Sequence, residues 1–125
     1  MVRTIQTDDA PAPAGAYSQG TVTDDLVFTA GQVARTPEGE TLRDADVATQ
    51  TEQVLENISA VLEAAGSSID DVLKVTVFLR DIDDFDAMNE MYATFFDDEP
   101  PARSAIEVGQ PPGGMAVEIE AVAER

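Results

Sequence analysis

The stretch DVATQTEQVLENISAVLEAAGSSIDDVLKVTVFL, Asp46–Leu79, decides the fold because a helical periodicity is followed in it by a strand periodicity. Apolar residues recur at spacings of three and four over Asp46–Ala65, which predicts an amphipathic helix. Asp44 or Asp46 can cap its start, and Gly66 suits the left-handed residue after its end. The predicted inner stripe is Val47, Thr51, Val54, Leu55, Ile58, Val61, Leu62 and Ala65, and the predicted outer side carries Gln50, Glu52, Gln53, Glu56 and Glu63.

Val72–Leu79 (VLKVTVFL) is rich in β-formers and predicts a strand. Because strand side chains alternate between faces, two sets are expected. They are Leu73, Val75, Val77 and Leu79 on one face, and Val72, Lys74, Thr76 and Phe78 on the other. The second face is mixed rather than polar, so we expect it to meet another subunit or a half-wet interior.

The residues before Asp46 predict a weak strand at Val2–Gln6 and a hairpin of Gln19–Val22 with Leu26–Thr29, turned at Thr23–Asp25. A short extended piece is expected at Gln32–Ala34.

The residues after Leu79 predict a second helix from Asp83 or Asp84 to about Phe96, which Pro100 and Pro101 prevent from running further. Strands are predicted at Arg103–Val108 and Ala116–Ala123. In the last strand, Val117, Ile119, Ala121 and Ala123 should face one way and Ala116, Glu118, Glu120 and Val122 the other.

These elements predict one α+β domain over residues 1–125, in the order βββ-α-β-α-ββ, with a mixed sheet of about six strands. Two helices with one apolar stripe each can cover only one face of such a sheet. The uncovered face would carry Val72, Phe78 and Val122, so we expect subunit association to bury it.

The charge of the chain is −18, from 25 acidic and 7 basic residues. Such a surface repels nucleic acid and anionic membranes, whose recognition needs clustered Lys and Arg. It also repels itself, and at molar salt a Debye length of about 3 Å screens that repulsion. We therefore favour a protein adapted to a salt-rich cytoplasm over a merely acidic one.

The chain has no cysteine and no histidine, which excludes disulfides, thiol catalysis, thiolate metal sites and Ser-His triads. Any chemistry must use other groups, and a carboxylate is then the natural general base. No apolar run approaches the roughly 20 residues of a membrane span, and no hydrophobic signal segment is apparent. A cytoplasmic location is expected.

Four short segments, in this order and spacing, carry a resemblance over nearly the whole chain. They are GAYSQG (Gly15–Gly20), TAGQV (Thr29–Val33), PPARSAIEV (Pro100–Val108) and VEIEAVA (Val117–Ala123). Together they resemble the RidA/YjgF family of reactive-intermediate deaminases. The resemblance implies a chorismate-mutase-like subunit and a trimeric, barrel-like assembly with sites between subunits. It also implies hydrolysis of enamines and imines of 2-keto acids, such as 2-aminoacrylate and 2-iminobutyrate, without metal or organic cofactor.

Arg103 and Glu118 are the predicted catalytic pair. A guanidinium can bind a carboxylate through two parallel hydrogen bonds, and the resemblance assigns Arg103 to the substrate carboxylate. Without the resemblance, Arg103 reads as one partner of a surface ion pair. Glu118 and Glu120 share a strand face, and a simple solvent-exposed face would explain this spacing equally well. The resemblance selects Glu118 to hold the attacking water. Glu120 is the alternative.

Tyr17, Gly31 and Asn89 complete the substrate-binding set that the resemblance implies. From the residues alone, Tyr17 can be half-buried packing, Gly31 a β-bulge and Asn89 an exposed helical residue. The chain departs from the family at Ala16, in place of proline, and at Ala105, where cysteine is common. The loop before Pro101 is shorter than in relatives, which puts the shape of the site and its substrate preference in question.

Two other functions remain open from the sequence. A family member without turnover would bind a 2-keto acid and act in regulation or as a chaperone. RNA cleavage has also been attached to the family, but the charge of −18 and the absence of histidine disfavour it.

Overall fold

The computed structural model describes all 125 residues and confirms the order βββ-α-β-α-ββ. The elements are β1 (Arg3–Ile5), β2 (Gly20–Val22), β3 (Leu26–Thr29), α1 (Val47–Ala64), β4 (Val72–Leu79), α2 (Phe85–Ala93), β5 (Ala102–Glu107) and β6 (Val117–Glu124). They form one six-stranded sheet in the order β1-β2-β3-β6-β4-β5. Only β4 and β5 pair in parallel, so the sheet is mixed as predicted.

Helix α1 follows the predicted pattern, and all eight residues of its apolar stripe are buried. Asp46 caps the start by accepting a hydrogen bond of 2.8 Å from the Thr49 amide, and Gly66 has a φ of 81° just past the end. The prediction for Gln50 is wrong, because its side chain is buried. Gln50 donates to the Ala45 carbonyl (3.0 Å) and accepts from the Ala116 amide (2.8 Å), which ties α1 to the chain entering β6.

The first residues of β4 also differ from the prediction. A register shift between Val72 and Lys74 interrupts the pairing with β6, so the alternation changes phase there. Val72 is therefore buried and Leu73 is 48% exposed, the reverse of the predicted faces. From Val75 to Leu79 the predicted alternation holds.

Helix α2 is shorter than predicted and is preceded by a 3-10 turn, Ile82–Asp84. It does not reach Phe96, because the chain tightens after Ala93 into i→i+3 bonds from the amides of Thr94 and Phe95. The predicted extended piece at Gln32–Ala34 is reduced to an isolated bridge between Gln32 and Ile119.

The two faces of the sheet have different surroundings. On β6, Val117, Ile119, Ala121 and Ala123 are buried in the core beneath the helices, as predicted. The other face of the sheet, called the open face below, carries Phe28, Phe78, Ile106, Glu118, Glu120 and Val122. Phe28 and Ile106 are 43% and 47% exposed on it, so the subunit leaves an apolar surface uncovered there. Neither helix is both long and apolar enough to cross a bilayer.

Candidate active site

Arg103 lies near the start of β5, and its side chain points to the helix side of the sheet. It pairs with Val75, which is buried on that side, and directly paired residues share a face. Its Nη1 donates a hydrogen bond of 2.8 Å to Asn89 Oδ1. Its guanidinium carbon lies 4.7 Å from the ring centre of Tyr92 and 5.3 Å from that of Phe85. Arg103 is therefore held by side chains rather than exposed as a free surface charge.

Helix α2 supplies all three of these partners from one side. Phe85, Asn89 and Tyr92 stand at spacings of four and three, which places them on one helix face. Of the three, only Asn89 was predicted to be in the site, as a substrate-binding residue. In the structure its side chain accepts a hydrogen bond from Arg103. Phe85 and Tyr92 are not among the predicted site residues, because periodicity within a helix does not reveal a contact with an arginine on a strand.

A cavity of about 360 Å³ opens beside this arginine. It is lined by Asn89, Tyr92, Ala93, Phe96, Asp97, Pro100, Pro101 and Arg103. Its volume falls in the range of small-molecule sites, which run from about 300 to 1,000 Å³. Pro101, at the end of the loop that is shorter than in relatives, thus lines the cavity together with Pro100.

Tyr92 is only 4% exposed, and its hydroxyl oxygen is buried without a hydrogen-bond partner. Burial raises the pKa of Tyr92 above its usual value, and the positive charge of Arg103 offsets part of that rise. The phenol is therefore neutral near pH 7 and cannot serve as a base there.

Glu118 lies on the open face, where it pairs with Phe78 of β4 and is half-buried. Gly31 packs against it so closely that a Cβ atom on Gly31 would stand 2.8 Å from Glu118 Oε2. The bridge between Gln32 and Ile119 fixes this approach through amide-to-carbonyl bonds of 2.8 and 3.1 Å. The structure thus brings two predicted site residues, Gly31 and Glu118, into contact.

Burial raises the pKa of Glu118 above the usual glutamate range, and repulsion from Glu120 raises it further. A raised pKa makes the carboxylate a stronger base, which suits proton abstraction near neutral pH. Glu120 is exposed and pairs with Thr76 on the same face. Of the two glutamates, Glu118 is thus the one in the more perturbed environment.

Tyr17 lies in the loop before β2 and is 49% exposed, with its hydroxyl accepting a bond of 3.1 Å from the Ala14 amide. The loop is anchored by the buried Gln19, whose side chain bonds to the backbone of Thr7 in both directions and to the Pro11 carbonyl. Ala30 donates to the Gln19 carbonyl (2.9 Å), so this loop runs beside the segment that carries Gly31. The anchoring role of Gln19 had no signal in the sequence, since the bonds reach backbone groups.

Four of the five predicted site residues therefore lie in two clusters, and Tyr17 is assigned to neither. The arginine cluster comprises Arg103, Asn89, Tyr92 and Phe85 on the helix side of the sheet, and the glutamate cluster comprises Glu118 and Gly31 on the open face. Strand β4 separates β5 from β6, so the two backbones are about 10 Å apart laterally. Within one subunit, Arg103 and Glu118 are not brought together.

Comparisons with known proteins agree over nearly the full length. The family model described as Endoribonuclease L-PSP matches residues 7–125. A RutC family protein of Pyrococcus horikoshii is 48% identical over 123 residues, covering 98% of both chains. The 2-iminobutanoate/2-iminopropanoate deaminase of Escherichia coli is 43% identical over 129 residues, covering 100% of this chain and 99% of that one. The crystal structure of E. coli TdcF with bound serine superposes with a TM-score of 0.93 at 42% identity, covering 98% of both chains.

Proposed function

The chain belongs to the YjgF/RidA family, and from that membership we propose that it hydrolyses enamines and imines of 2-keto acids to the keto acid and ammonia. The substrates we propose are 2-aminoacrylate and 2-iminobutyrate, in line with the name of the E. coli relative. The residues proposed to act are Arg103, Glu118, Tyr17, Gly31 and Asn89, with no metal or organic cofactor.

The observation that carries the proposal is the setting of Arg103. Its guanidinium faces a cavity of about 360 Å³ and is in contact with one amide oxygen and two aromatic rings. Asn89 takes one of its five N–H donors, which leaves a planar fork for a ligand. A carboxylate is the group that such a fork recognises best. The relative E. coli TdcF was solved with bound serine, an amino acid that carries a carboxylate, and this supports a carboxylate ligand here.

The proposed reaction adds water to the C=N bond. Arg103 binds the carboxylate of the imine, and the backbone at Gly31 fixes its plane. Glu118 takes a proton from water as the oxygen bonds to C2 and passes it to the imine nitrogen, which gives a neutral carbinolamine. Glu118 then transfers the hydroxyl proton of the carbinolamine to its amino group, so that the C–N bond breaks, ammonia leaves and the 2-keto acid remains. The balance is one imine and one water to one keto acid and one ammonia.

The geometry of one subunit supports a site shared between two. The carboxylate carbon of a 2-imino acid is bonded directly to C2, so Arg103 and the water of Glu118 must act on adjacent atoms. The two side chains point to opposite faces of one sheet. We therefore propose that the arginine cluster of one subunit meets the glutamate cluster of its neighbour, in a homotrimer that also covers the open face.

A binding protein without turnover is the alternative function, and it would use the same arginine to hold a 2-keto acid. A coupled assay of keto-acid formation from freshly generated imine separates the two, since binding without product favours the alternative. We do not propose RNA as a ligand, although the description of the family model names an endoribonuclease. A charge of −18 repels phosphate backbones.

The first test replaces Arg103 by alanine and measures kcat/KM for 2-iminobutyrate. Loss of two charge-assisted hydrogen bonds should lower it about a hundredfold or more. Arg43→Ala removes the same charge from an exposed position outside both clusters and should leave kcat/KM within about twofold of wild type. An Arg103→Ala enzyme with wild-type kcat/KM would overturn the assignment.

We further propose that the protein works in a salt-rich cytoplasm. Twenty-five acidic residues on 125 repel one another, and molar salt screens that repulsion. The unfolding temperature should therefore rise between 0.1 and about 2 M KCl, and a fall over that range would contradict the proposal.

A further inference from the structure

Among the contacts of Arg103, one aromatic ring of α2 is distinguished by its short distance and by its own packing. Tyr92 presents its ring to the guanidinium at 4.7 Å, closer than Phe85 at 5.3 Å. The ring of Phe96 packs on Tyr92 from another side, with centroids 4.7 Å apart and planes inclined by 36°. Tyr92 is therefore itself immobilised where it meets the charge.

The ring of Tyr92 makes the contact on which this inference rests. The buried hydroxyl has no partner in good hydrogen-bond geometry, although it lies close enough to Arg103 for the guanidinium to lower its pKa. A cation above an aromatic ring at this distance is attracted by the quadrupole of the ring. The ring also limits the rotamers that a long arginine side chain can visit.

We propose that Tyr92 is a positioning residue that acts through Arg103, with its ring fixing the guanidinium so that the donor fork faces the cavity before the ligand arrives. Arginine loses much rotamer freedom when it grips a ligand, and a guanidinium already held in place loses less. The inference rests on the proposed function, because the ligand it concerns is the carboxylate of that substrate.

The test compares Tyr92→Leu with Tyr92→Phe in the full-length protein. Tyr92→Leu removes the ring and should raise KM for 2-iminobutyrate, and Kd for 2-oxobutanoate by calorimetry, about three- to tenfold. Since the interaction is present in both the bound substrate and the transition state, kcat should change less than twofold. Tyr92→Phe keeps the ring and removes only the hydroxyl, so both constants should return to their wild-type values.

Two controls separate positioning from general loosening. Phe95→Leu removes a ring that packs against the core one turn after α2 and is not among the neighbours of Arg103, so KM should stay at the wild-type value. In an Arg103→Ala background, Tyr92→Leu should lower kcat/KM less than twofold further, since no guanidinium remains to position.

Four outcomes would overturn the inference. They are an unchanged KM in Tyr92→Leu, an equal loss in Tyr92→Phe, an equal loss in Phe95→Leu, or additive effects with Arg103→Ala. If Arg103→Ala loses activity while Tyr92→Leu keeps it, this inference fails and the proposed function stands. If the wild-type protein neither binds 2-oxobutanoate nor hydrolyses the imine, both fail.

Discussion

The key charged residues on the two sides of the sheet have opposite electrostatic environments. On the helix side, Arg103 is surrounded by groups that stabilise its charge: the amide oxygen of Asn89 and the faces of two rings. On the open face, Glu118 is half-buried against the backbone of Gly31 and has another carboxylate, Glu120, as its charged neighbour. One charge is held by favourable partners, and the other is destabilised by its surroundings.

This difference explains why separating the two residues is useful to the proposed chemistry. If Arg103 stood beside Glu118 in the free subunit, the pair would form a salt bridge. The bridge would occupy the carboxylate-binding fork and would lower the pKa of Glu118, which weakens it as a base. With the two residues on opposite faces, no such bridge forms within one subunit.

The largest expected effect belongs to the base itself. Glu118→Gln keeps the size of the side chain and removes the proton acceptor, so kcat should fall about a thousandfold. Glu124→Gln, on the same strand and with the same orientation, should leave kcat within about twofold. Full activity in Glu118→Gln would show that Glu118 is not the base. Loss of activity in Glu120→Gln instead would assign that role to Glu120.

The same variant has a second readout in stability. The pKa of Glu118 is raised in the folded protein, so ionisation of this group opposes folding above that pKa. The cost fades as the pH falls through the folded pKa and vanishes below the unfolded value, near 4.5. Glu118→Gln should therefore unfold at a higher temperature than wild type at pH 7, and the gain should disappear at about pH 4. An equal gain at both values would contradict this origin.

Mixing two inactive variants tests whether the clusters come from different subunits. Arg103→Ala and Glu118→Gln subunits, unfolded and refolded together in equal amounts, should regain about a quarter of wild-type activity, because one interface in four then joins an intact arginine to an intact glutamate. Each variant refolded alone sets the baseline. If the mixture stays at that baseline while hybrid oligomers are seen by mass spectrometry, both clusters act within one subunit.

A smaller effect is expected from a substitution at Gly31, whose backbone packs against the Glu118 carboxylate. Gly31→Ala places a Cβ atom 2.8 Å from Glu118 Oε2, and the flexible carboxylate must move away. Since the backbone of Gly31 is outside the left-handed region, we expect kcat to fall about ten- to a hundredfold with little change in the unfolding temperature. Gly109→Ala is the matched control, because its Cβ would meet nothing within 4 Å. Unchanged activity in Gly31→Ala would show that the contact does not position Glu118.

Periodicity alone predicted the element order and the faces of α1 and β6, because burial on one side leaves a regular trace in the sequence. It failed where a local hydrogen bond or a bulge interrupts that regularity. Gln50 looks like a solvent residue by type, yet it is buried because backbone groups of Ala45 and Ala116 in the same chain satisfy its amide. Leu73 looks like a core residue by parity, yet the register shift after Val72 turns it outward.

The sequence predicted which residues belong to the proposed site, but not how the fold arranges them. Arg103 and Glu118 stand out because the chain lacks histidine and cysteine, and the family resemblance picks them from the other charged residues. Their placement on opposite faces follows from the register with β4, in which Arg103 pairs with Val75 and Glu118 with Phe78, and no residue pattern predicts that register. The contact of Tyr92 with Arg103 likewise joins a helix to a strand and has no local signal.

The smallest expected effect concerns the charge that acts on Glu118 from Glu120. Glu120→Gln removes the repulsion, so the pKa of Glu118 should fall toward the usual glutamate value. In the proposed mechanism activity requires ionised Glu118, and the acidic limb of the kcat/KM–pH profile should therefore move to lower pH while the plateau stays unchanged. Raising the salt to about 1 M screens the same repulsion, so it should shift the wild-type limb in that direction and shift the Glu120→Gln limb less. A limb that does not respond to either change would mean that burial alone sets the basicity of Glu118.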